Sequence, residues 1–276
     1  MIDILNSFLR RMFDAVFYVL HGMNSWVAII VVSLLTALLM LFVYRIASNQ
    51  QEIRATKDKI IAHLLEVRLY RNSLSTAFSA QGRILWYNLK YLSHSVKPML
   101  VMIVPLVLAI IQMDQWLGYE SLRPGGVAIA KVLLKPGYLP SREQVSLEPS
   151  AGFSVEAAPL RIDKEGEVDW RLRADQLGGW TLHVVVNGQA EGKQLVIGGN
   201  SLSRISTARV ARGWTDQLAN PGEAALSATS PVKLIEISYP ARRLDFFAWR
   251  IHWLVAYLAL SVIFGFILKP VFHVEV

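Results

Sequence analysis

The stretch WVAIIVVSLLTALLMLFVY, residues 26–44, decides the fold: its only polar interruptions are Ser33 and Thr36. At a helical rise of about 1.5 Å per residue, about 20 residues cross a hydrocarbon layer about 30 Å thick. Working outward, the same texture recurs twice. Residues 99–111 (MLVMIVPLVLAII) are unbroken, and residues 253–268 (WLVAYLALSVIFGFIL) are broken only by Ser261. Both reach spanning length with their flanks, 98–117 and 248–268. Over all 276 residues the hydrophobic share is 53% and the mean hydropathy +0.37. Soluble domains come close to that share, so the clustering carries the inference. Three such runs in so short a chain are read as three membrane spans rather than as helices of a soluble core.

Charge supplies the orientation. Residues 48–97 hold eight basic side chains (Arg54, Lys57, Lys59, Arg68, Arg71, Arg83, Lys90, Lys97) against Glu52, Asp58 and Glu66. The long segment 114–247 is balanced, with 15 residues of each sign. Short basic loops stay in the cytoplasm, whereas long domains translocate largely regardless of charge. The N-terminus and the long segment are therefore expected outside, and the basic loop and C-terminal tail inside. A bacterial inner membrane is the expected location. The N-terminal stretch lacks the basic-then-apolar order of a cleavable signal. With no cysteine, disulfides and cysteine–metal sites are excluded.

Residues 1–22 read as an amphipathic interfacial helix. Leu5, Phe8, Leu9, Met12, Phe13, Val16 and Leu20 recur at helical spacing, opposite Asp3, Asn6, Ser7, Arg10 and Asp14. The first span follows at 24–47, with a turn at His21-Gly22 between them. Residues 48–96 are expected to form a cytoplasmic helical hairpin. Ile53, Ile60, Val67 and Leu74 fall seven apart, a seam supplemented by Leu64 and Phe78 and interrupted by Lys57 and Arg71. Its reversal is placed near 75–82, where the composition turns small and polar. The second span is 97–117, with Pro98 in its first turn and Pro105 as a kink.

Residues 118–246 change to short alternating segments. Val168, Trp170, Leu172 and Ala174 alternate with charged residues, and Trp180, Leu182, Val184 and Val186 form a second inward set. Asn187-Gly188 through Gly192 reads as a hairpin connection. Further strands fit 127–135, 153–157, 205–210 and 232–239. About seven short strands, with a Trp on each of two of them, suit an all-β, immunoglobulin-like sandwich. The third span is 247–269 and the cytoplasmic tail 270–276. The fold class is thus an α-helical membrane protein with an inserted β-domain.

Nothing carries covalent chemistry. Phosphate-loop, HExxH and GxSxG spacings are missing, and six histidines are scattered along the chain. Neither an enzyme nor a cofactor is expected. Polar residues at membrane depth are the stronger lead, because burying them is costly. Arg45 is expected at the edge of a groove open to the cytoplasm, lined by Ser33, Thr36 and Ser261. Asp114 is expected to meet Arg250 or His252 as a latch between the outer ends of the second and third spans.

The order of parts, and the stretch SVKPMLVMIVPLVLAIIQMDQWLGY at residues 95–119, resemble the YidC/Oxa/Alb insertase superfamily. The three-span members, archaeal YidC-like proteins and their relatives in the endoplasmic reticulum, are most similar; the resemblance covers about 1–117 and 247–276. It implies an insertase or intramembrane chaperone that passes hydrophobic segments through a cytoplasm-open groove. Met99 and Met102 would give varied clients adaptable contact. The implied partners are newly made membrane proteins, a ribosome or targeting factor at the hairpin, and the lipid bilayer. Two features depart from the family: Arg45 sits at the groove's edge rather than within it, and a β-domain is inserted. The alternative is an envelope scaffold or accessory subunit binding an unknown extracytoplasmic partner through that domain.

Overall fold

The computed structural model describes residues 2–20, 22–69, 74–198, 202–246 and 249–272. Two compact units are present. One takes Met1–Ala28 with Leu108–Trp253, the other Ile29–Val107 with Leu254–Val276. Among the described residues three helices are long and apolar enough to cross a membrane.

The chain begins with α1 (Ile2–Val19), α2 (Ser25–Ala47), α3 (Gln50–Leu69) and α4 (Leu74–Leu117). Helix α4 runs without a break through Pro98 and Pro105. The expected reversal at 75–82 is therefore corrected, since these residues are helical. Their Ser and Ala residues cost a helix little, and the single Gly82 costs about 1 kcal/mol, too little to end a long helix. Residues 70–73 lie outside the described residues, as do His21 and the side chains of Leu74 and Phe78. Pro98 correspondingly sits inside a 44-residue helix, not at the start of one.

The first unit is dominated by β-structure. Strands β1 (Val127–Leu134), β2 (Val145–Leu147), β3 (Phe153–Val155), β4 (Leu160–Ile162), β5 (Glu167–Ala174), β6 (Gly178–Val186), β7 (Gln189–Ile197) and β8 (Ala208–Val210) follow α4. Then come α5 (Trp214–Ala219), β9 (Val232–Ile237), β10 (Arg243–Phe246) and β11 (Trp249–His252), before α6 (Trp253–Phe272). One antiparallel sheet has the order β3-β5-β1-β9-β8 with β4 also on β5; a second has β2-β6-β7. Inward residues of both sheets share one core, including Val168, Trp170, Leu172 and Ala174 of β5 and Leu182, Val184 and Val186 of β6. The alternation read from the sequence holds at each of these positions. Trp180 is only half-buried, lying so close to Gly152 that a Cβ there would meet its ring at 2.2 Å.

The β6–β7 turn is tighter than expected. Asn187 (φ 51) and Gly188 (φ 81) both take the left-handed region, and Val186 pairs directly with Gln189. Positive φ at both central residues follows the twist of a two-residue hairpin. The third-span boundary at 247 is also corrected: Trp249–His252 pairs with Arg243–Phe246, and the helix starts at Trp253. Arg250 and His252 are costly inside hydrocarbon but are tolerated on a polar hairpin.

The free edge of β7 is closed mainly by side chains rather than by a neighbouring strand. Gln194 N–H donates to Glu223 Oε2 at 3.0 Å, and Val196 N–H donates to the Tyr239 hydroxyl at 3.0 Å. Lys193 Nζ donates to the carbonyls of Ser206 (2.7 Å) and Gln194 (3.1 Å) and pairs with Glu223. Lys193 is fully buried and Glu223 nearly so. Burial pushes the Lys193 ammonium below its usual range, with the Glu223 carboxylate opposing that shift. Arg209 joins the knot through Glu191 at 3.4 Å and the carbonyl of Ala224 at 2.8 Å. An exposed edge would template pairing with another chain, and this knot occupies it.

Two outcomes follow for this unit. Glu223→Gln strands a buried ammonium, so it is expected to destabilise the β-domain by about 3–5 kcal/mol, read from tryptophan fluorescence during urea unfolding. Asp169 is pushed up to about 6, chiefly by desolvation and then by the neighbouring Glu167 charge, with Lys131 opposing. A folded value above the unfolded one makes folding favour the protonated form, so stability falls as pH rises through about 4 to 6. Asp169→Asn is expected to flatten that loss and raise the thermal midpoint at neutral pH.

Candidate functional site

The second unit contains most of α2, all of α3, the first part of α4 and nearly all of α6. In α2 a buried stripe of Ile29, Val32, Ser33, Thr36, Ala37, Leu41 and Tyr44 recurs every three or four residues, one face of a helix. Its small members let a neighbouring backbone come close. The partner is α6. Ser33 Oγ donates to the carbonyl of Tyr257 at 3.2 Å, and the Tyr257 hydroxyl donates to Thr36 Oγ1 at 3.2 Å. Ser33 and Tyr257 are fully buried. Ser261 Oγ lies in the same cluster, within electrostatic reach of the phenol but without a well-formed hydrogen bond of its own.

Beside this tie, α2, α4 and α6 enclose a groove of about 460 Å³. Thr36, Met40 and Tyr44 line it from α2; Tyr91, Ser95, Met99, Met102 and Leu106 from α4; and Ser261, Gly265, Phe266 and Lys269 from α6. A volume of this order lies in the range of small-molecule pockets. Its walls are apolar and thioether-rich, with hydroxyls of Thr36, Ser95 and Ser261 set among them. No atom would lie within 4 Å of a Cβ added at Gly265, so the missing side chain is part of the opening. Tyr44 also packs with Ile53, Tyr91, Met102 and Phe272.

The expected groove residues divide. Thr36, Met99, Met102 and Ser261 line the groove, whereas Ser33 is spent on the α2–α6 tie. Arg45 is exposed in the last turn of α2 and is not among the lining residues. The basic lining residue is Lys269, in the last turn of α6. Tyr257, Tyr91 and Gly265 went unread in the sequence. The signal for Tyr257 was present, since a phenol about one turn inside a strongly apolar helix must find a hydrogen-bond partner when it is buried.

Helix α3 and the start of α4 form an antiparallel pair. Glu52 reaches His94 at 3.2 Å, Glu66 reaches Arg83 at 3.2 Å, and Lys59 sits 5.3 Å over the Tyr87 ring, on which His63 also stacks. Of the heptad seam, Ile53 is buried, Ile60 and Val67 are half-buried and Leu64 is exposed. Polar and aromatic pairs therefore set the register. Ile61, Leu65, Leu69, Leu85, Trp86 and Leu89 are also exposed, leaving the hairpin a broad apolar surface.

In the first unit, Arg250 Nε stands 3.6 Å from Asp245 Oδ1, both exposed, which removes it from the expected latch. His252 is the basic group within electrostatic reach of Asp114. Both Arg250 and His252 belong to β11, so the electrostatic reach of Asp114 runs from α4 to a hairpin strand rather than to α6. Among the described residues no cluster of three or more His, Asp or Glu is placed to hold a metal.

Tyr257→Phe removes the donor to Thr36 and leaves the ring packing intact. A loss of about 0.6–1.7 kcal/mol is expected, the range of hydrogen bonds between membrane helices, measured by unfolding in mixed micelles. No family model, curated protein or solved structure was found to match this chain.

Proposed function

We propose that this chain is a membrane-protein insertase or intramembrane chaperone of the YidC/Oxa/Alb type, in a bacterial inner membrane. The groove among α2, α4 and α6 is the observation that carries the reading. In the proposed topology the N-terminus and β-domain lie outside, and the α3–α4 hairpin and C-terminus face the cytoplasm, where basic loops are retained. The two-sheet core supports an immunoglobulin-like architecture for the β-domain. Its strand order is its own, because β1 is central where the first immunoglobulin strand is an edge.

The mechanism needs no covalent step. The exposed leucines and Trp86 of the hairpin give an arriving apolar segment its first contact. The segment then moves against Met40, Met99 and Met102, whose unbranched thioethers repack around different side chains. A charged flank at the centre of a bilayer costs about 2.5–3.5 kcal/mol on insertion scales. The hydroxyls of Thr36, Ser95 and Ser261 and the ammonium of Lys269 offset part of that cost and favour acidic flanks. The segment leaves sideways into lipid, where its burial is already favourable.

Gly265→Trp tests this directly. A Cβ at this lining position meets open space, so a bulky side chain is expected to extend into the groove and fill it. Purified protein in proteoliposomes is expected to lose most of its stimulation of short single-span client insertion, about tenfold, while its thermal midpoint holds. A photocrosslinker at Met102 should trap nascent chains in the unplugged protein and lose them in the plugged one. Unchanged insertion with the groove filled would count decisively against the proposal.

A further inference from the structure

Helix α1 is turned the opposite way from a simple surface helix. Two of its polar residues face the folded unit, while Arg11 is exposed: Asn6 Nδ2 donates to the carbonyl of Gln217 at 2.8 Å, and Asp14 meets Arg204 at 3.4 Å. Phe13, Phe17 and Leu20 are buried on the same side, with Phe17 stacked on Trp116 at 4.7 Å. The other side, including Ile4, Phe8, Met12, Tyr18 and Val19, is exposed. That apolar stripe marks a helix lying in a membrane interface. Trp214, at the start of α5 against which α1 packs, is 68% exposed and adds an aromatic of the kind enriched at headgroup level.

Where α1 meets α5 there is a cavity of about 220 Å³, whose polar lining includes Asn6, Ser7, Arg10, Arg212, Gln217 and Glu223. Glu223 is already committed to Lys193. Neither Arg10 nor Arg212 has a hydrogen-bonded or acidic partner among the described residues. Two guanidinium groups beside a hydroxyl and amide groups form a set of donors suited to phosphate oxygens, which arginine binds in bidentate fashion. The apolar stripe on the same helix puts acyl chains where a lipid phosphate bound there would carry them.

We infer that the cavity between α1 and α5 is a binding site for the headgroup of an anionic phospholipid, held by Arg10 and Arg212. Its phosphodiester sits between the guanidiniums, and its chains leave past Ser7 toward Ile4, at the margin of the exposed apolar side of α1. The site anchors the first unit to lipid. It rests on the membrane placement of α1 proposed above and is independent of insertase activity.

The test is the thermal midpoint of the purified full-length chain in nanodiscs of phosphatidylcholine alone, or of equal parts phosphatidylcholine and phosphatidylglycerol. Phosphatidylglycerol is expected to raise the midpoint by roughly 4 °C. That gain should vanish in Arg10→Gln/Arg212→Gln and fall by at least half in Arg212→Gln alone, an exposed position whose change leaves the packing intact. Lys164→Gln, exposed in the β4–β5 turn, should keep it. A gain that survives the double substitution would overturn the site. So would a gain reproduced by inorganic phosphate in detergent with nothing added by the lipid, which would mark a free-anion site. A chain that stays in solution without detergent or lipid would overturn the membrane placement and the site together. Insertion of clients, measured separately, would report on the groove alone.

Discussion

A hydroxyl buried among apolar helices has no water to turn to, and that constraint orders the second unit. Tyr257 brings a phenol into a helix whose other polar side chains are Ser261 and Lys269, and its buried oxygen must be matched by a group on another helix. Thr36 supplies the match, while Ser33 bonds the carbonyl of Tyr257 itself. Two hydrogen bonds one turn apart on α2 fix both the rotation and the height of α6 against it. Apolar packing alone sets neither sharply, since one leucine face resembles the next. With α2 and α6 held on this line, the groove opens on the adjoining side, where Gly265 and the methionines leave space. The same few polar atoms therefore both close one seam and begin the lining of the groove.

The β-domain solves a related problem at a sheet edge. Strand β7 would present bare N–H and C=O groups, and bare edges invite pairing with other chains. The segment after it crosses back and offers a carboxylate, a phenol and a guanidinium instead of a strand, while Lys193 of β7 itself reaches across to the carbonyl of Ser206. The carboxylate of Glu223 serves twice, accepting from Gln194 N–H and neutralising Lys193. A buried charge is affordable only because that pairing is complete. The arrangement holds the edge and the crossing segment together, and it costs stability sharply if either partner is removed.

The parts legible in the sequence are those with one dominant period. The three apolar runs and the alternation in β5 and β6 appear where their patterns place them, because burial on one face or all round leaves a direct trace. Boundaries were less legible. The expected reversal at 75–82 rested on small polar residues that a long helix tolerates, and the boundary at 247 could not separate a polar hairpin from the span it feeds. The groove was half legible. Thr36, Met99, Met102 and Ser261 were found by their chemistry, but Lys269 and Gly265 owe their place to which side of α6 faces α2. That facing is decided by Tyr257, and a single chain of letters does not rank one buried hydroxyl above another. Arg45, in the last turn of α2, is exposed and stands apart from the groove's lining.

Helix α1 shows why periodicity alone misassigns an environment. Apart from the exposed Arg11, its apolar and polar residues separate around the axis, and the usual reading sends the polar side to water. Here that side carries Asn6 and Asp14 into specific bonds with Gln217 and Arg204, while phenylalanines on its margin pack inward. An exposed stripe containing Ile4, Phe8 and Tyr18 would be a liability in water, since large apolar patches favour association. It ceases to be one if the surrounding medium is lipid. On the proposed membrane placement the helix has two different neighbours, a folded domain that supplies hydrogen-bond partners and a bilayer that supplies acyl chains, and Arg10 and Arg212 would lie where the two meet.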